Sequence, residues 1–284
     1  MGAKVLVNYG YSPVEIVVGR FLLASIIFAP LLFYRIKVGL DIFPTRKSWQ
    51  YLVGLSITGV SINNLIFYFG LQQTDASTAS ILVSFNPLTT MIIAVIFLGE
   101  SMTQRKWISV ISGTIGVAFI LGLSIGYGTL IGNVFITIGV TIWGASFTFS
   151  KKASNVGMSS IAITGWSEIL GTLTLIPFVL NQDGFHQFSQ IPQNTEVIIW
   201  FIILGIFSSF LSYILHYKAV EVFGPGKIAP STNIIPLSGA IAAYFILGDL
   251  VSPLIVIGFI LIVFAVFIVQ TEVIDQKQIR TCEI

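Results

Sequence analysis

Apolar runs of about 20 residues recur along nearly the whole of this 284-residue chain, and they decide what it can fold into. A helix rises ~1.5 Å per residue, so each run is long enough to cross ~30 Å of hydrocarbon. Lipid offers no hydrogen-bond partner to a bare backbone, so such runs must be helices. A membrane barrel would show alternating polarity instead, and the chain does not. Composition agrees: 55% of residues are hydrophobic and 9% are charged, whereas roughly a quarter are charged in an ordinary soluble domain. The fold class is therefore an all-α polytopic membrane protein.

The pattern predicts nine spans, over 14–34, 50–71, 76–98, 105–123, 129–150, 159–180, 196–217, 227–247 and 253–271. Gly, Pro, Asn and charged residues punctuate the connections between them. The stretch from Asn86-Pro87 to Leu98-Gly99-Glu100 is an apolar helix with a proline inside it, and it has an echo. From Ile235-Pro236-Leu237 to Leu247-Gly248-Asp249, proline and a Gly-acid pair recur at the same spacing, 149 residues later. With that offset, residues 48–120 align with 197–269 without a gap, pairing Tyr68 with Tyr217, Asn63 with Ser212 and Ser56 with Gly205. Upstream the offset becomes 147, pairing Pro30 with Pro177 and Lys4 with Lys151.

The chain thus reads as two repeats, 1–123 with four spans and 124–271 with five, followed by a polar tail over 272–284. Lys151 closes a full span, whereas Lys4 has almost nothing before it, so the expectation is that a further N-terminal helix belongs to the first unit. Basic residues set the orientation. If the first visible span runs inward, twelve of the fourteen Lys and Arg residues fall on the cytoplasmic side, together with the C-terminus. Two five-span units must then face opposite ways. Inverted repeats of this kind are typical of secondary transporters, with a substrate site near mid-membrane between them.

Ionisable residues inside spans are costly and face a cavity or a partner. Two stand out, Arg20 and Glu168. At helical rise they lie about 9 Å and about 13 Å from the nearer ends of their spans. An arginine could reach across if the two helices were neighbours. For Glu168 two readings stand side by side: a carboxylate that couples transport to protons or ions, or a structural ion pair or cavity-wall residue. Small polar residues give another set of candidates. Ser56, Gly59, Asn63 and Gly70 share one helical face, and Gly205, Ser209, Ser212 and His216 share the equivalent one. Close helix packing explains many such serines. Amides need partners on both donor and acceptor sides, which makes Asn63, Asn64, Asn86 and Asn233 candidates for a substrate path, with Ser209, Ser212 and Tyr213 beside them. Pro87 and Pro236 each remove a helical hydrogen bond, as hinges or as kinks.

Several stretches together resemble the EamA-type proteins of the drug/metabolite transporter superfamily. They are Gly19-Arg20-Phe21, Leu71 to Ser77, Asn86-Pro87 through Gly99-Glu100, and Trp143-Gly144-Ala145-Ser146-Phe147 with Lys151. The resemblance covers essentially the whole chain, with the family's first helix expected before Lys4, and Asp249 stands where the family usually has glutamate. It implies ten helices in a 5+5 inverted arrangement, cytoplasmic termini, and export or exchange of small metabolites such as amino acids. Trp143 and Phe147 are then candidates to wall the cavity. The expected protein is a multi-pass secondary transporter of the cell membrane. It would move a small zwitterionic or neutral solute by alternating access, by efflux or exchange, with proton or ion coupling. A scaffold that keeps the transporter fold without transport is the alternative.

Other classes find no support in the residues. No paired His/Asp or cysteine motif points to an enzyme, a cofactor or a metal, and Cys282 is the only cysteine. Basic residues form small juxtamembrane groups that account for topology and suggest no nucleic-acid partner.

Overall fold

In a computed structural model, residues 5–6, 9–73, 82–83, 86–99, 101–120, 130–180, 194–234, 256–258, 260–265 and 267–268 are described. The elements are α1 (Pro13–Lys37), α2 (Arg46–Leu55), a π-helical segment (Ser56–Ser61), α3 (Ile62–Gln73), α4 (Asn86–Leu98), α5 (Gln104–Ile120), α6 (Leu130–Asn155), α7 (Ser160–Leu180) and α8 (Thr195–Ile202). A second π-helical segment (Ile203–Leu211) follows, then α9 (Ser212–Phe223), α10 (Pro225–Ile228) and a 3-10 turn (Ala229–Asn233). Among the described residues, five helices are long and apolar enough to cross a membrane: Pro13–Lys37, Arg46–Gln73, Leu130–Asn155, Ser160–Phe178 and Thr195–Phe223. Shorter apolar helices cover Asn86–Leu98 and Val256–Ala265. The chain is an all-α polytopic membrane protein.

Local chemistry sets the ends. Ser12 and Glu15 form a capping box at the start of α1: Ser12 Oγ accepts from the Glu15 N–H, and Glu15 Oε2 accepts from the Ser12 N–H at 2.7 Å. Pro13 fits the first turn, where its missing N–H would have no partner anyway. Thr45 and Asn194 cap α2 and α8 by accepting from the N–H groups of Ser48 and Glu196. Pro30 and Pro177, paired at the 147 offset, both lie inside long helices.

Among the described residues, the largest differences from the sequence reading fall at three places. The helix expected to end at 150 runs to Asn155, and the one expected to end at 217 runs to Phe223. Hydropathy marks the lipid-facing length of a helix, and these helices continue past it into the polar zone. The span expected over 227–247 opens as a four-residue helix and a 3-10 turn. Pro225 takes the first turn of the short helix, and Pro230 has no N–H to give to a continuing α ladder.

The chain divides into two compact units. The first comprises Met1–Phe69 with Ala145–Val222, and the second Gly70–Gly144 with Phe223–Ile284. Each takes segments from both halves of the sequence. In the first unit α1 packs on α7. Ser25 Oγ lies 3.0 Å from Thr172 Oγ1, and Leu32 belongs to a core with Ala162 and Ile163. In the second unit α5 packs on the segment 256–265 through Ser109 Oγ to Ala265 O (2.8 Å) and Ser112 Oγ to Leu261 O (3.1 Å).

Candidate functional site

The first unit holds a buried polar cluster built by α1, α3, α7, α9 and both π-helical segments. Arg20, on α1, is 6% exposed. Its Nε donates to Ser209 Oγ at 2.9 Å and its Nη1 to Tyr68 Oη at 3.1 Å. The guanidinium carbon stands 4.6 Å from the Phe21 ring centroid. Both hydrogen-bond partners are neutral, so the positive charge is solvated by dipoles and not by a contacting carboxylate.

Glu168, on α7, is 0% exposed, and neither carboxyl oxygen has a hydrogen-bond partner. A buried carboxyl without partners is costly as an anion. Thr172 Oγ1 donates to the Glu168 carbonyl at 2.8 Å. A threonine hydroxyl has one hydrogen, so in the Ser25–Thr172 contact Ser25 is the donor. The helices carrying Arg20 and Glu168 are therefore neighbours, tied one turn along from Glu168, while Arg20 itself turns to Ser209 and Tyr68.

The π-helical geometry supplies the rest of the cluster. A π turn bonds residue i to i+5 and disturbs the α ladder locally. At Ser56–Ser61 side chains meet the carbonyls: Ser61 Oγ donates to Ser56 O at 3.0 Å, and Asn64 Nδ2 to Val60 O at 2.9 Å and Gly59 O at 3.3 Å. Tyr213 Oη, on α9, also donates to Gly59 O at 3.3 Å. Asn64 Nδ2 further donates to Asn63 Oδ1 at 3.0 Å. Phe147, fully buried on α6, stacks on His216 with ring centroids 4.6 Å apart.

Most of the residues read from the sequence thus fall into two sets. Arg20, Asn63, Asn64, Phe147, Glu168, Ser209 and Tyr213 belong to the first unit. Ser212 does too, but it is exposed. The face expected to join it to Ser209 assumed an unbroken α period, and the π register at Ile203–Leu211 shifts it. The second unit holds Asn86, Pro87 and Trp143. Asn86 is fully buried; its Nδ2 donates to Val140 O at 3.4 Å and its Oδ1 accepts from Thr90 Oγ1 at 3.3 Å. Pro87 is buried in the first turn of α4, and Trp143 is half-buried. Asn233 ends the 3-10 turn, with its side chain outside the described residues, where Pro236 also lies. Sequence reasoning passed over Tyr68 as a site residue. Its signal was its match to Tyr217 in the repeat, since both are buried.

At one end of the first unit Glu221 gathers a second network. Lys218 Nζ lies 2.8 Å from its Oε1, Ser160 Oγ donates to its Oε2, and Lys151 Nζ donates to its carbonyl at 2.6 Å. A cavity of about 300 Å³ adjoins it, lined by Asp41, Ser154, Ser159 and Glu221 among others. Near the start of α1, Tyr9 Oη donates to Glu196 Oε2 at 2.5 Å. Giving up that proton would lose the bond, and this raises the Tyr9 phenol above its usual ionisation range.

Membrane-length helices around a buried arginine and a buried, unpartnered carboxyl make up a polytopic membrane protein. The sequence matches the EamA-like transporter family over residues 1–122 and 130–271, and the chain belongs to that family. It is 29% identical over 268 residues to the uncharacterized transporter YetK of Bacillus subtilis, covering 91% of this chain and 78% of that protein. It is 26% identical over 261 residues to an uncharacterized transporter of Archaeoglobus fulgidus, covering 91% and 88%. A probable terminal-alkyne amino-acid exporter of Streptantibioticus cattleyicolor is 20% identical over 237 residues, covering 83% and 77%. A solved crystal structure superposes with a TM-score of 0.75 over 94% of this chain and 91% of the other at 15% identity, a likeness of fold.

Proposed function

We propose that the protein is a secondary transporter that moves a small zwitterionic or neutral metabolite across the cell membrane by alternating access, in efflux or exchange. The observation that carries the reading is the pairing of a fully buried carboxyl that has no hydrogen-bond partner, Glu168, with the buried cation Arg20 in one helical unit. Such charges inside membrane spans mark substrate or ion pathways. The buried cluster around Arg20 and Glu168 supplies amides, hydroxyls and one charge of each sign, which suits a solute carrying both signs or neither. A multiply charged anion would call for more Arg or Lys. The amino-acid exporter among the relatives points to the same solute class.

Glu168 is the group we assign to proton or ion coupling. We assign Asn63, Asn64, Ser209 and Tyr213 as substrate-path residues in the first unit, and Asn86, Pro87 and Trp143 as separate candidates in the second. The repeats over 1–123 and 124–271 form the two oppositely oriented halves, with the C-terminus in the cytoplasm, as the distribution of Lys and Arg favours. Metabolite profiling of cells with and without the gene, followed by counterflow of the leading compounds into liposomes holding the purified protein, tests the reading. Saturable counterflow supports it; no counterflow across a broad metabolite panel favours a scaffold.

A further inference from the structure

The two π-helical segments were invisible to hydropathy, and they fall at matching places. Shifted by the repeat offset of 149 residues, Ser56–Ser61 lands on 205–210, inside the second segment, Ile203–Leu211. In both, the residue that closes the segment donates its N–H five residues back, Ile62 to Ile57 and Ser212 to Phe207. A π register carries an extra residue relative to an α register. Converting one to the other turns the helix beyond it by about 100° and moves it about 1.5 Å, one α-helical residue step.

Side chains hold both segments from outside. Tyr213, one residue past the closure of the second segment, bonds Gly59 O in the first. Arg20 bonds Ser209 within the second segment and Tyr68 on the helix that continues from the first. Neither segment can change register without stretching these bonds, and each bond ties one segment to the other or to a helix shared by both. We propose that the two π-helical segments form a coupled pair of register switches, latched by Tyr213 on Gly59 and by Arg20 on Ser209, that move together in the transport cycle. The role in transport rests on the function proposed above; the coupling itself does not.

Backbone hydrogen exchange of the full chain in lipid nanodiscs tests the coupling without any substrate. In Tyr213→Phe, exchange in peptides covering 54–64 and 203–213 is expected to rise together, by roughly fivefold, the factor for one lost neutral hydrogen bond. A reference peptide from 160–178 stays at its wild-type rate. A rise confined to 203–213, a rise in every peptide, or no rise overturns the proposal. If Tyr213→Phe does not fold by circular dichroism, Asn64→Leu, which removes the other side-chain cap on Gly59 O, carries the same expectations and the same contrary outcomes. Because no transport is measured, failure here leaves the transport reading standing, and failed counterflow leaves the coupling standing.

Discussion

Ser25 Oγ and Thr172 Oγ1 lie 3.0 Å apart, and the residues are separated by 147 positions, the offset at which the two halves of the sequence align in that region. In the other unit, Ser112 Oγ reaches Leu261 O across 149 positions, the offset of the downstream alignment. In each unit, then, one contact joins positions that the repeat alignment brings into register. Ser25→Ala and Thr172→Val, singly and together, are expected to show a coupling of about 0.5–1.5 kcal/mol in thermal unfolding of the detergent-solubilised protein. Purely additive effects would mean that the contact contributes nothing.

Arg20 serves two acceptors on different helices from one planar group. A lysine has no second donor nitrogen in fixed geometry. Arg20→Lys should therefore leave either Ser209 or Tyr68 unpaired and lower stability by about 1–3 kcal/mol. Ser209→Ala, which removes one acceptor and leaves Tyr68, should cost less. Equal melting temperatures for the two variants would contradict the bridging role.

Helix approach in the first unit depends on Gly171. A Cβ there would stand 2.4 Å from Val60 Cγ1. Gly171→Ala is expected to cost about 1–3 kcal/mol through overpacking, and Gly171→Ala with Val60→Ala should recover much of that loss. At Gly116 a Cβ would meet the Gly258 carbonyl at 2.8 Å. That neighbour is backbone, so no side-chain truncation there should rescue Gly116→Ala. Size-exclusion profiles after heating distinguish the two cases.

Tyr9 provides a pH-dependent contact outside the spans. Its phenol is raised above the ordinary value by its bond to Glu196. A group whose folded-state ionisation is raised adds stability below its unfolded value, here about 10, and loses it as pH climbs through the folded value. The melting temperature of the wild type should exceed that of Tyr9→Phe at pH 8, and the gap should close above pH ~10. A gap that widens with pH would reverse the assignment.

Much of the architecture was legible because lipid leaves so few options. Long apolar runs must be helices, and buried charges such as Arg20 and Glu168 stand out against them. Pro30 and Pro177, paired by spacing alone, both fall inside long helices. The π-helical segments were not legible, since hydropathy does not distinguish a backbone bonded i to i+4 from one bonded i to i+5. The face of Ser212 was misread for that reason. Tyr68 was passed over because an amphipathic aromatic side chain in a span reads equally well as packing. That the helices of Arg20 and Glu168 are neighbours depends on tertiary contacts such as Ser25–Thr172, and no local pattern encodes those.

The central claim is that Glu168 couples transport to a proton or ion gradient, and one comparison tests it most directly. Purified wild type and Glu168→Gln are placed in liposomes, and uptake of a counterflow-active metabolite is measured with and without an imposed pH gradient. The account predicts gradient-dependent uptake for the wild type and gradient-independent exchange for Glu168→Gln, with the variant still folded. Equal dependence on the gradient in both proteins would contradict it.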